Sequence, residues 1–184
     1  MAIISGSSGS SGTPPFGLLF DSTLSSANAT IDTGASGIAG TASHLLIYFY
    51  LRSNKNATTD TVTVTVNNDS SAVYYQQVTQ SFNTTVQGVP AQGGTSFNLD
   101  SVPAATAPAG VFTPWAFFLP QYAGTVGGKA LQALAGYRAS SIAGGLEAKD
   151  MIMFYDSTSA ISRLAVTCSG QFIVGSRMTI YGLI

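Results

Sequence analysis

One histidine, one cysteine and eight carboxylates are what this chain of 184 residues offers for acid, base, nucleophilic or metal chemistry. His44 could serve as a general base, but a hydrolytic triad also needs a nucleophile beside it and a carboxylate to orient it. Serines are plentiful, yet no G-x-S-x-G turn frames one, and the GSSGS near the N-terminus is low complexity. His44 opens the run HLLIYFYL, where it reads as a strand-edge side chain bonded to backbone or water. Glycoside cleavage needs two carboxyls facing each other across a cleft. Asp21, Asp32, Asp60, Asp69, Asp100, Glu147, Asp150 and Asp156 form no distinctive pair, and most fall at expected strand ends and turns, where aspartate bonds its own backbone. Zinc lacks ligands, because His44 and Cys168 stand far apart. The NNDS of residues 67–70 lacks the spaced aspartates of a calcium loop and reads as a turn. No glycine-rich segment sits between a strand and a helix to cradle phosphate. The expectation is no enzyme, no cofactor and no metal.

What remains to be read is architecture. Only 8% of residues are charged, against about 25% in ordinary soluble domains, while 45% are apolar. Ser, Thr, Asn, Gln, Gly and Ala fill the surface instead. A chain that keeps so little charge is expected to have surface covered by identical subunits or by a larger assembly. The net charge is −1 and there is no Lys/Arg stripe, so nucleic-acid binding lacks its electrostatic footprint. No apolar run approaches the roughly 18 residues of a spanning helix. MAIISGSSG has neither the basic start nor the apolar stretch of a signal peptide. Cys168 is alone and cannot form an internal disulfide. The sequons at Asn28, Asn56, Asn68 and Asn83 are of the kind a chain rich in Asn, Ser and Thr contains by chance.

Residues 1–15 read as a flexible Ser/Gly-rich arm closed by Pro14 and Pro15, and residues 16–184 as a single domain. Period-two alternation runs through that domain. In residues 45–52, Leu45, Ile47, Phe49 and Leu51 share one face, and Leu46, Tyr48, Tyr50 and Arg52 the other. Both faces are largely apolar, which predicts a central strand covered on both sides. Val62, Val64 and Val66 alternate with Thr61, Thr63 and Thr65, and Asn67-Asn68-Asp69 stops the strand. SAVYYQQVTQ follows and is expected to pair with it as a hairpin. Residues 83–110 read as a long loop-rich stretch interrupted by a weak strand, TSFNL. FTPWAFFLP, with Pro114 and Pro120 around its aromatics, is expected at a sheet margin. Residues 129–136, with their Ala and Leu, could form one or two helical turns, but Gly127-Gly128 and Gly136 bound them and their flanks are β, so strand is the preferred reading. The total is nine or ten short strands and no convincing helix, which makes an all-β sandwich, with a jelly roll the favoured topology.

The aromatics are the remaining candidates. Trp115, Phe117, Phe118, Tyr122 and the pair Tyr74-Tyr75 are read first as core, and otherwise as a subunit interface or a sugar-binding platform. In the last strand, Met178 and Ile180 are expected to face the core, with Arg177, Thr179 and Tyr181 facing outward. Trp115, Phe117, Tyr122, Arg177 and Tyr181 are the candidate subunit or capsid interface.

Four segments carry a resemblance: GLLFDSTLSSANATIDTGASGIAGTASHLLIYFYLRS (17–53), VNNDSSAVYYQQ (66–77), STSAISRLAVT (157–167) and VGSRMTIYGL (174–183). Together they resemble a recurring domain of tailed-bacteriophage virion structural proteins. The likeness covers roughly residues 17–183 and is weakest over 83–150. It implies a β-sandwich of jelly-roll type that commonly forms trimers. Such domains serve as capsid decoration (cement) proteins, head fibres or receptor-binding tail tips. The short segment before the domain fits a decoration protein better than a tail fibre with its long shaft. The expectation is a homotrimer on the capsid surface, bound to the major capsid protein, with no nucleic acid and no membrane. The alternative is a receptor- or glycan-binding tip on a tail or head fibre.

Overall fold

The structure, a computed structural model, describes residues 16–35, 37–38, 42–82, 85–138 and 145–183. The arm expected over residues 1–15 lies outside them. The alternating residues form twelve strands among the described residues, rather than nine or ten. In order they are β1 (Phe16–Thr23), β2 (Asn28–Asp32), β3 (His44–Leu51), β4 (Thr59–Val66), β5 (Tyr74–Phe82) and β6 (Thr85–Gly94). Then come β7 (Phe97–Pro103), β8 (Thr113–Pro120), β9 (Lys129–Arg138), β10 (Leu146–Tyr155), β11 (Leu164–Phe172) and β12 (Arg177–Leu183).

The strands make two antiparallel sheets, ordered β1-β12-β3-β8-β9-β10-β5-β6 and β2-β11-β4-β7. Setting aside β5, β6, β9 and β10 leaves two four-stranded sheets, β1-β12-β3-β8 and β2-β11-β4-β7. Along that reduced chain the path changes sheet at every step except β4 to β7, which are neighbours, and this is the strand order of a jelly roll. The remaining four strands are two hairpins inserted after β4 and after β8. They pair with each other through β10 and β5 and extend one sheet to eight strands.

The core lies between the sheets. Leu45, Ile47, Phe49 and Leu51 of β3 are buried, as are Val62, Val64 and Val66 of β4. Phe49 meets Phe117 edge-on at 5.0 Å. Each such side chain contributes about 1.5–3 kcal/mol by leaving water. The inserted hairpins share this core: Tyr74 of β5 packs edge-on against Phe97 of β7 at 4.9 Å and meets Tyr155 of β10 in a tilted contact at 5.3 Å.

Three sequence expectations need correction. The hairpin of β4 with β5 does not form, because β4 pairs with β11 and β7 while β5 pairs with β10 and β6. Asn67 and Asn68 do make a tight turn, both left-handed with φ of 53° and 57°. Its surroundings send the chain to the other sheet. Asn67 Oδ1 accepts N–H bonds from Ser162 and Arg163, and the Tyr74 hydroxyl donates to the Asp69 carbonyl at 2.8 Å. Next, β8 is not marginal but lies between β3 and β9. Its ladder with β9 spans only Trp115 to Phe118, so Pro114 and Pro120 lie beyond it and deprive it of no donor. Finally, the stretch 83–110 holds the whole of β6 and β7. β6 is the edge strand of its sheet, where Pro90 and several glycines are tolerated.

What remains of that stretch is a loop held by Arg52. This buried guanidinium donates to four carbonyls: Pro108 at 2.7 Å, Val111 at 2.8 Å, Ala104 at 2.9 Å and Ala107 at 3.1 Å. Its own carbonyl accepts from Ser176 Oγ at 3.1 Å, which ties in the turn before β12. Arg52→Met keeps much of the volume but strands those carbonyls. It is expected to lower unfolding free energy by about 3–5 kcal/mol in urea titrations. An unchanged midpoint would show that the loop does not depend on Arg52.

Candidate interaction face

Alternation gives each strand two faces, and the four-stranded sheet covers one face of the eight-stranded sheet. The other face is built from the complementary residues. One cross-strand row runs Tyr181, Leu46, Phe118, Gln132, Ile152 and Gln77. The adjacent row runs Thr179, Tyr48, Ala116, Leu134, Asp150 and Thr79. Asp150 is the one formal charge in the two rows. Large apolar groups stand open here: Tyr48 is 43% exposed, Leu134 52% and Ile152 65%. The expectation that β3 is covered on both sides therefore holds for only one side within a single chain.

The face is continuous and has some relief. Tyr48 meets Tyr181 edge-on at 6.3 Å, and Tyr50 stacks on Phe112 at 4.6 Å. A shallow, mostly apolar groove of about 630 Å³ crosses it, lined by Tyr48, Val86, Pro114 and Leu134 together with Thr79 and Asp150. Six strands about 4.8 Å apart and roughly seven residues rising about 3.3 Å each give a projected area of roughly 600 Å². That is the projected area of the whole face, its Gln, Thr and Asp150 positions included, and it is near the scale of the roughly 800 Å² that each partner of a standard interface buries.

Of the five candidate interface residues, two belong to this face. Tyr181 is half-buried within it, and Arg177 stands at its margin. Arg177 is held by a two-pronged pair to Asp21, with Nε–Oδ1 at 2.7 Å and Nη2–Oδ2 at 2.8 Å, and Thr179 Oγ1 donates to the same carboxylate at 2.9 Å. The other three are corrections. Trp115, Phe117 and Tyr122 are 1%, 3% and 0% exposed and belong to the core. Trp115 and Phe117 occupy the inward positions of a central strand, opposite Phe49 and Ile47. They cannot form a sugar platform or meet a partner. Phe118, the outward neighbour, is 43% exposed and does lie on the face. Leu134, Ile152 and Phe154 escaped the sequence reading. Their signal was available: DMIMFYD and ALQALAG are apolar at both alternate positions, as β3 is.

The titratable groups serve as latches. His44 Nδ1 accepts the Gln121 N–H at 3.1 Å, so the ring is occupied structurally, as its place at a strand edge suggested. Asp32 accepts Arg163 Nε at 3.0 Å, joining β2 to the segment before β11. Buried Asp60 receives Ser169 Oγ and, at 2.9 Å, the Gly170 N–H. Asp69 accepts the Tyr155 hydroxyl at 2.8 Å. Hydrogen bonds from Arg177 to Asp21 and from Arg163 to Asp32 hold both carboxyls below the usual range, despite some burial. Burial pushes Asp60 upward, but the donors from Ser169 and Gly170 outweigh it. No cluster of three or more His, Cys, Asp or Glu able to hold a metal ion exists among the described residues.

No protein-family model, curated protein or solved structure matches this chain.

Carboxyls depressed by folding stabilise the fold fully above their unfolded value of about 3.9, and that contribution is lost as pH falls through the lower folded values. Thermal scans are therefore expected to be flat down to about pH 5 and to fall steeply below about pH 4. Asp32→Asn should lower the neutral-pH midpoint and flatten the acid slope. A variant slope equal to the parent's would remove Asp32 from the set.

Proposed function

We propose that this chain is a non-enzymatic virion structural protein, a homotrimeric decoration protein that binds the major capsid protein and stabilises a phage head. The observation that carries this reading is the largely apolar outer face of the eight-stranded sheet, with Asp150 the one formal charge in its two central rows. A face of that size and composition is costly to leave in water and well suited to burial between subunits. The low overall charge supports the same view, since a chain in an assembly needs less charge for solubility. The jelly-roll strand order agrees with the fold that the phage-domain resemblance implies, and the threefold count comes from that resemblance. The engagement of His44 and most of the carboxylates in structural bonds supports a role without turnover.

Light scattering of the full chain is expected to give three times the chain mass of 18.9 kDa. Leu134→Lys combined with Ile152→Lys should give a monomer with an unchanged β-sheet spectrum, because exposed substitutions of this kind alter intrinsic stability by only about 0.5 kcal/mol. A parent protein that stays monomeric at its highest soluble concentration would overturn the trimer. Phage particles lacking the protein should rupture at lower temperature than complete ones. Equal robustness, together with binding of the purified chain to host polysaccharide, would favour the receptor-binding alternative.

A further inference from the structure

The sequence reading found no use for Asp100, Glu147 and Lys149, yet the fold brings them together. Lys149 points inward from β10, and its side chain is 1% exposed. Its Nζ lies 2.7 Å from Asp100 Oδ2 and 2.9 Å from Glu147 Oε1. It also donates to Ser101 Oγ at 3.2 Å. Asp100 sits on β7, in the other sheet, so the contact bridges the sandwich. The approach is built into the backbone. β7 bulges where Val62 faces Asp100 and Thr63 faces Asn98, and Asp100 is left-handed with φ of 68°. A non-glycine residue adopts that conformation rarely. Here it turns the carboxyl across the gap to Lys149. Tyr137, buried and bonded to Ser101 at 2.7 Å, backs the site, and burial pushes its hydroxyl well above the ordinary phenol range.

The geometry points to a covalent modification: an amide joining Lys149 Nζ to Asp100 Cγ, formed by the chain itself with Glu147 as proton carrier. The ion pair holds the Lys149 nitrogen against the Asp100 carboxyl with little water at the nitrogen, so the two reacting groups are already brought together. Glu147 takes a proton from the Lys149 ammonium, and the freed amine attacks Asp100 Cγ. The new C–N bond forms as one C–O bond breaks. The departing oxygen leaves as water, taking the Glu147 proton and a second proton from the nitrogen. An ammonium and a carboxylate become a neutral amide and one water, so atoms and charge balance and nothing is oxidised or reduced. Asp100 has a side chain 52% exposed, which gives the water an exit. The product would fasten the inserted β9–β10 hairpin to the smaller sheet. This inference does not depend on the virion reading.

The test is the intact mass of the purified full chain under denaturing conditions, followed by peptide mapping. The expected mass is lower than that of the sequence by one water, with a branched peptide joining the fragments that contain Asp100 and Lys149. Glu147→Gln and Lys149→Met should each restore the full mass. A folded parent protein at full mass overturns the proposal. So does a one-water deficit that maps to an aspartate cyclised on its own backbone. The parent mass decides the matter even if a variant misfolds.

Discussion

Packing of the two inner sheet faces is the constraint on which the rest of this structure depends. Alternation commits every second side chain to that interface, where Leu45, Val62, Trp115 and Ile180 are each essentially free of solvent. A sheet of four strands can cover only one face of a sheet of eight. The opposite face is then set by the same alternation: Tyr48 follows from Ile47 and Phe49, and Ile152 from Met151 and Met153. Because these outward residues are apolar too, the fold leaves an open surface of interface size. Its apolar character is a choice of side chain, since threonines fill the equivalent outward positions of β4.

Charge is used inside the molecule rather than on that surface. Arg52 gathers the carbonyls of one long loop, Asp32 and Arg163 link β2 to the approach of β11, and Asp60 receives donors from β11. Lys149 stands between the sheets with Asp100 and Glu147. With so few charged residues in the chain, their use as latches leaves the large sheet face almost neutral. Buried polar groups of this kind are secure only when paired, which the hydrogen bonds at each latch provide.

Strands with clean alternation were legible from sequence: β3, β4 and β12 fall where the pattern placed them, β9 falls where its glycine bounds and β flanks favoured strand over helical turns, and the sandwich follows. Pairing was less legible. The Asn67-Asn68 turn has the chemistry of a hairpin turn, but the partners that redirect the chain, Ser162 and Arg163, lie about a hundred residues away. Pro90 and its glycines disguised β6, because an edge strand tolerates residues that a central one does not. Trp115 drew attention as an aromatic, yet its parity with Phe117 and Leu119 already assigned it to the core. The interaction face had a signal in the doubly apolar strands. Reading that signal as burial inside one chain, rather than as a surface still open, was the step that only the sheet order corrects.

The open face is the central claim, and an averaged map of the assembled virion tests it most directly. The proposed decoration role places the protein on the outer capsid, with Tyr48, Ile152 and Tyr181 of each copy covered by neighbouring protein. A map in which the outer face of the eight-stranded sheet looks into solvent, with Tyr48 and Ile152 as open as they are in the single chain, would contradict it.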